Sequence, residues 1–219
     1  MSSLKSRLAA LCTTVVVLFG GPAVSLAETP LKMDFVTHAT FFSGETKQPK
    51  TLDPQVFIRD PKAAEAVGPQ GIKHAAGVRP PIIAEDTGSS PLFTAEGQPL
   101  GFDLQTWLAA KGTVTILSQA GHIRLEATFS GLKANATYSL FENHFDQKPV
   151  GFTPMDGSGQ TNSFTAGPDG KAAISLQLTH VPTHDNAVLL VYHSDSQAHG
   201  LERGHIGVDA HHQLIARPK

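Results

Sequence analysis

His122-Ile123-Arg124-Leu125-Glu126-Ala127-Thr128-Phe129 alternates without a break. Ile123, Leu125, Ala127 and Phe129 fall on one side, and His122, Arg124, Glu126 and Thr128 on the other. A period of two with one apolar face is the signature of a half-buried antiparallel strand. Outward from this stretch the same pattern recurs. Thr113–Leu117 precedes it with Val114 and Ile116 in phase. Thr137–Glu142, Asn162–Thr165, Lys171–Leu178, Ala187–His193 and His212–Ala216 follow. Turn-forming runs separate them: Ser130-Gly131-Leu132, Asp156-Gly157-Ser158-Gly159, Gly167-Pro168-Asp169-Gly170 and His184-Asp185-Asn186. Seven or so short strands at this spacing predict an all-β domain over residues 112–219, a Greek-key β-sandwich or flattened barrel.

Before Gly112 the pattern is patchier, and residues 28–111 read as an irregular N-terminal arm. Lys32–Phe42 suggests a strand, as does Gln55–Arg59. Asp60-Pro61 supplies an N-cap and first-turn proline for a short helix closed by Gly68. From Gly68 to Gly101, prolines and glycines punctuate a long irregular connection with at most one hairpin, near Phe93–Leu100. Asp103 caps a second short helix, in which Leu104, Trp107 and Leu108 share a face and which Gly112 ends. An ordered loop this long in a compact protein usually carries function, so the arm is a candidate surface for a protein partner.

The first 27 residues read as a removable export signal. Lys5 and Arg7 form a positive start, Leu8–Phe19 an apolar stretch, and Ser25-Leu26-Ala27 a small-x-small cleavage site before Glu28. About 12 apolar residues are too few for the roughly 20 that span a bilayer, and no second long run follows. Leu11 ahead of Cys12 is not the small residue that lipidation requires. A periplasmic or secreted protein is therefore expected. Cleavage would remove the single cysteine and with it thiolate chemistry and any internal disulfide. It would also drop the 17 basic side chains to 15 against 19 acidic ones. Nothing in this balance resembles the basic face of a nucleic-acid binder.

Three further groups of residues belong together. Ser130-Gly131-Leu132 leads through Ala134-Asn135-Ala136-Thr137-Tyr138 into a strand. Asn162-Ser163-Phe164-Thr165-Ala166 leads through Asp169-Gly170-Lys171-Ala172 into another. Val188-Leu189-Leu190-Val191-Tyr192-His193 is followed by His199-Gly200 and then Arg203-Gly204. In this order they resemble the copper/zinc superoxide dismutase-like Greek-key sandwich, over roughly the last half of the chain. The resemblance implies kinship of fold. It places His193 where that family has a copper ligand. The family's paired H-x-H ligands would fall near Leu140 and Glu142, so the resemblance does not carry the activity with it.

Histidine is the other signal. Seven of the eleven fall between His180 and His212, several beside carboxylates. Imidazole is the commonest transition-metal ligand, and its unperturbed pKa lies near neutrality. His193 ends an apolar strand with Asp195 two residues on; it is either a ligand or a histidine bonded to a loop carbonyl. His211 and His212 are adjacent and point to opposite faces of a strand unless a bulge intervenes. Glu142-Asn143-His144-Phe145-Asp146 offers another imidazole between acids. If the late strands neighbour that edge, His144, His193 and His199 converge, with Asp195, His205 and His211 completing the candidate set for copper or zinc. An exported metal-binding protein is the leading expectation. A non-catalytic interaction module, a divergent superoxide-metabolising enzyme and a pH sensor are the alternatives.

Overall fold

The structure is a computed structural model that describes residues 29–219. The expected export signal, 1–27, lies outside the described residues. Sixteen strands form among the described residues. In the N-terminal part they are β1 (Leu31–Asp34), β2 (Val36–Thr37), β3 (Phe57–Arg59), β4 (Ala66–Val67), β5 (Lys73–His74), β6 (Val78–Arg79), β7 (Pro91–Phe93) and β8 (Pro99–Asp103). The later ones are β9 (Lys111–Gln119), β10 (His122–Ser130), β11 (Thr137–His144), β12 (Gly151–Pro154), β13 (Ser163–Thr165), β14 (Ala172–Leu178), β15 (Asn186–His193) and β16 (Ala210–Ala216). Two short helices, α1 (His38–Glu45) and α2 (Leu104–Leu108), complete the regular structure with one turn of 3₁₀ helix.

The strands build a sandwich and not a closed barrel. One sheet runs β1-β9-β10-β14. The other runs β12-β11-β15-β16-β2, with β13 also paired to β11. Ile123, Leu125, Ala127 and Phe129 of β10 face inward as their alternation predicts, with Leu125 fully buried. They meet Tyr138, Leu140, Val188, Leu190, Tyr192 and Leu214 from the second sheet in one apolar core. The other face of β15 and β16 is buried too. There Phe141, Leu189, Val191 and Ile215 lie beneath Phe41, Phe145 and Phe152. A strand covered on both sides needs apolar residues at every position, and that is why β15 reads Ala-Val-Leu-Leu-Val-Tyr without alternation.

The segment before Gly112, expected to be an irregular arm, is built into this frame. β1 pairs with β9 and β2 with β16, so consecutive strands edge opposite sheets. β6-β3-β7-β8 form a small sheet whose Ile58, Leu92 and Leu100, with Val56 just ahead of β3, share the main core. Asp103 caps α2 as predicted, its carboxylate accepting from the Thr106 amide at 2.8 Å. Leu104 and Trp107 bury the helix against the core.

Two local expectations fail. Thr37 stops the first strand and caps α1, its hydroxyl accepting from Thr40 N, so residues 38–45 are helix and not strand. At Asp60-Pro61 no helix forms. The Asp60 carboxylate accepts instead from Lys62 N (3.0 Å) and from Arg79 Nε (2.9 Å), an Asx-type turn held by a cation from a distant strand.

Candidate metal centre

His193 is the last residue of β15. Period-2 geometry puts it beside Leu189 and Val191, on the outer face of its sheet. The chain then turns sharply. Ser196 takes a positive φ of 62°, and its amide donates to the His193 carbonyl at 3.3 Å. Asp195 Oδ1 accepts from Gln197 N (3.0 Å), which leaves Oδ2 free for other contacts. His199 follows one loop turn later. Its ring stands 5.0 Å from that of His193, centroid to centroid, and its Nε2 lies 3.0 Å from Asp195 Oδ2. That contact is out of line for a hydrogen bond, and His199 Nε2 is buried with no partner. One ligand atom from each of His193, Asp195 and His199 falls within 4.8 Å of the other two, so the three are placed to hold one metal ion.

A hydrogen-bond chain fixes which nitrogen of His193 is available. Ser163 Oγ donates to Asn162 Oδ1 (3.3 Å), while Asn162 Nδ2 is committed to the Leu140 carbonyl (3.2 Å). Ser139 Oγ lies 2.8 Å from Ser163 Oγ and 2.8 Å from His193 Nε2. With the far end anchored on an acceptor, each hydroxyl passes its proton outward, and His193 Nε2–H donates to Ser139 Oγ. His193 Nδ1 is then the unprotonated nitrogen, buried and without a partner. Burial holds this imidazole down at about 4, the His199 ring adding to the effect against the pull of Asp195. At neutral pH the site thus offers a free lone pair from an oriented, neutral imidazole. This is the support that metal-bound histidines ordinarily receive from a second layer of residues.

The other histidines of the candidate set go elsewhere. His144 and His193 do not converge. Antiparallel register pairs His144 with Asn186 and His193 with Thr137, opposite ends of the β11–β15 ladder. At about 3.4 Å per residue that is about 24 Å. His144 bonds Thr153 Oγ1 (2.8 Å) and Asn186 Nδ2 (3.2 Å) instead. His211 pairs with Tyr192 and so faces the inner core, away from His193. Its Nδ1 donates to the Gln55 carbonyl (2.7 Å) and its Nε2 lies against Ser194 Oγ (3.1 Å), so both nitrogens are engaged away from the three-residue group. His205 is an exposed ring whose Nδ1 lies 3.3 Å from Asp209 Oδ2, outside the three-residue group. Farther off, His180 pairs with Glu142 and His184 with the Pro218 carbonyl. Density along the sequence is therefore not convergence in space.

Sequence reading missed Ser139, Ser163 and Asn162. Two serines on separate strands, and the asparagine just ahead of the second, carry no spacing that marks them, and only the β11–β13 register, Ser139 opposite Ser163, brings them into line. Comparison with family models, with curated proteins and with solved structures finds no match for this chain.

Proposed function

We propose that this protein is an exported metal-binding sandwich that takes up a copper ion, or zinc as the second choice, for binding or delivery. The observation that carries the reading is the convergence of His193, Asp195 and His199 within reach of one ion, with His193 Nδ1 and His199 Nε2 buried without a hydrogen-bond partner. Two imidazole nitrogens and one carboxylate oxygen form a borderline N/O donor set suited to Cu(II) and Zn(II) and poor for calcium or magnesium. Three protein ligands leave at least one position open, where water or a receiving molecule would complete the coordination. The centre sits at a strand end and in a surface loop, accessible from one side. Export is supported by the amino-terminal pattern of charge, apolar run and small-x-small site. The proposed kinship with the copper/zinc superoxide dismutase-like sandwich rests on the motifs of the last half of the chain and on His193 at the end of β15.

The test is a calorimetric titration of the chain from Glu28 with Cu(II) and with Zn(II), repeated on His199→Ala and His144→Ala. One equivalent of Cu(II) should bind, tighter than Zn(II). Loss of a direct ligand should weaken it by at least the roughly 10–100-fold seen for supporting residues. His144→Ala, remote from the centre, should bind like the parent. Equal affinity in the His199→Ala variant would remove the reading.

A further inference from the structure

A second, unrelated place on the same sheet face has the makings of a binding site. β2 edges the sheet beside β16, and α1 starts directly from it, so the helix is laid over the outer face of β16. A bulge lets the β15–β16 ladder pass over Gln213, and His212 is set opposite Val191 on that outer face. The first residue of α1, His38, meets the His212 ring edge-on at 4.9 Å. Beside them opens a cavity of about 330 Å³ with Phe41, Phe42, Phe145 and Phe152 as apolar walls. A cavity of about 150 Å³ already accommodates one benzene ring.

The floor of this cavity is polar and unsatisfied. His38, His212 and Asn143 are 3 %, 2 % and 5 % exposed. His38 Nδ1, both nitrogens of His212 and Asn143 Oδ1 are buried without a hydrogen-bond partner among the described residues. Groups of this kind are costly to bury unpaired, so they ask for something that fills the space and bonds to them. Burial lowers both imidazoles far below neutrality, to about 3 for His38, with the Arg203 guanidinium adding to the effect. They are therefore neutral rings, each with one N–H donor and one lone pair. Asn143 Oδ1 only accepts.

We propose that this cavity binds a small uncharged aromatic alcohol or phenol, its ring between the four phenylalanines and its hydroxyl exchanging hydrogen bonds with His38, His212 and Asn143. A hydroxyl both donates and accepts, as this mixed floor requires. A carboxylate has no proton for Asn143 Oδ1 or for an imidazole lone pair. A metal ion is opposed by the Arg203 guanidinium, which lies over the Phe152 ring at 3.6 Å and bears on both imidazoles. The site is separate from the metal centre and shares none of its ligands.

The experiment titrates the metal-free chain with phenol, toluene and benzoate, following the His38 and His212 ring resonances by NMR. Phenol should shift both rings and bind about tenfold or more tighter than either analogue, the factor expected when buried polar groups lose their partner. Val150, a 40 % exposed residue at the cavity mouth, provides a variant that leaves the floor intact. Val150→Trp should abolish the phenol shifts with the fold retained by circular dichroism. Benzoate or toluene binding as well as phenol would overturn the assignment. So would saturating phenol that moves neither ring, which would mean the floor is satisfied by water alone. Preferential displacement of phenol by Zn(II) at these two rings would overturn it in favour of a cation site.

Discussion

At the scale of single residues, the roles of two buried polar groups can be separated by mutation. Ser139 orients His193 through one hydroxyl and makes no contact with the metal-facing atoms. Ser139→Ala should leave far-ultraviolet circular dichroism unchanged yet weaken Cu(II) about 10–100-fold, the usual range for a residue behind a ligand. An unaltered titration would show that His193 needs no support. Asp53 is different in kind. It is fully buried, and accepts from Trp107 Nε1 (2.7 Å) and Gln55 N (2.8 Å). Burial pushes its carboxyl up to about 6 despite these bonds. Asp53→Ala strands the indole and an amide in the core and should cost about 3 kcal/mol in a urea titration. A loss below about 1 kcal/mol, the net worth of one ordinary hydrogen bond, would contradict that role. Trp107 was legible from its helical spacing with Leu104 and Leu108. Asp53 was not, because an isolated acid has no periodicity, and its partner lies 54 residues away.

Among elements, the loop that carries Asp195 and His199 is positioned by a neighbouring turn. Asp156 organises that turn by accepting from the amides of Ser158, Gly159, Gln160 and Thr161. Gly159, at φ +70°, brings its backbone against Gly200, where an added Cβ would stand 2.4 Å from the carbonyl carbon. Backbone cannot step aside as a flexible side chain does, so Gly159→Ala should displace the loop. Metal affinity should fall while the unfolding midpoint drops modestly. Gly121→Ala is the matched control: φ is +81° with nothing within 4 Å. It should cost about 1–2 kcal/mol for the left-handed backbone alone, with metal affinity intact. Parallel titrations and melts of both variants distinguish the two effects; equal metal affinity in both would show the contact to be idle. The elements themselves were legible in proportion to their length. β9, β10, β14 and β15 alternate or run apolar over many residues, and they form where the pattern puts them. α1 was hidden, because two adjacent phenylalanines have no helical period and a single Thr37 hydroxyl decides between strand and helix.

Across the whole molecule, the buried histidines make folding dependent on pH. Burial lowers His38 to about 3 and His193 and His211 to about 4, with His212 well below its ordinary 6.5. A group held neutral in the fold but free to charge when unfolded favours unfolding once the unfolded chain takes up protons. The stability these four contribute is therefore complete above about 6.5 and is lost as pH falls from there toward about 4. Asp53 works the other way. Its raised value of about 6 means the folded state binds a proton first, so acidification from about 6 toward its ordinary value of 3.8 favours the fold. Four groups against one give the sign. Urea midpoints should fall steadily between about pH 7 and about pH 4.5, the window of histidine titration. A flat profile would mean that the imidazoles are not buried as the structure has them.

What the sequence determined by itself is local. Alternating apolar residues dictate strands because a pleated chain sends successive side chains to opposite faces. Glycine, proline and asparagine dictate where those strands must turn. From these alone come an all-β sandwich and the position of His193 at the end of its innermost strand. Tertiary structure decided which side chains meet. His193 finds Asp195 and His199 within one loop. His144 is carried to the far end of the same ladder and His211 to the opposite face of the sheet. His38, from the segment read as an arm, comes to rest on His212, 174 positions later in the numbering. Register and pairing are set by the burial of whole sheets, a sum over many residues that no single motif encodes.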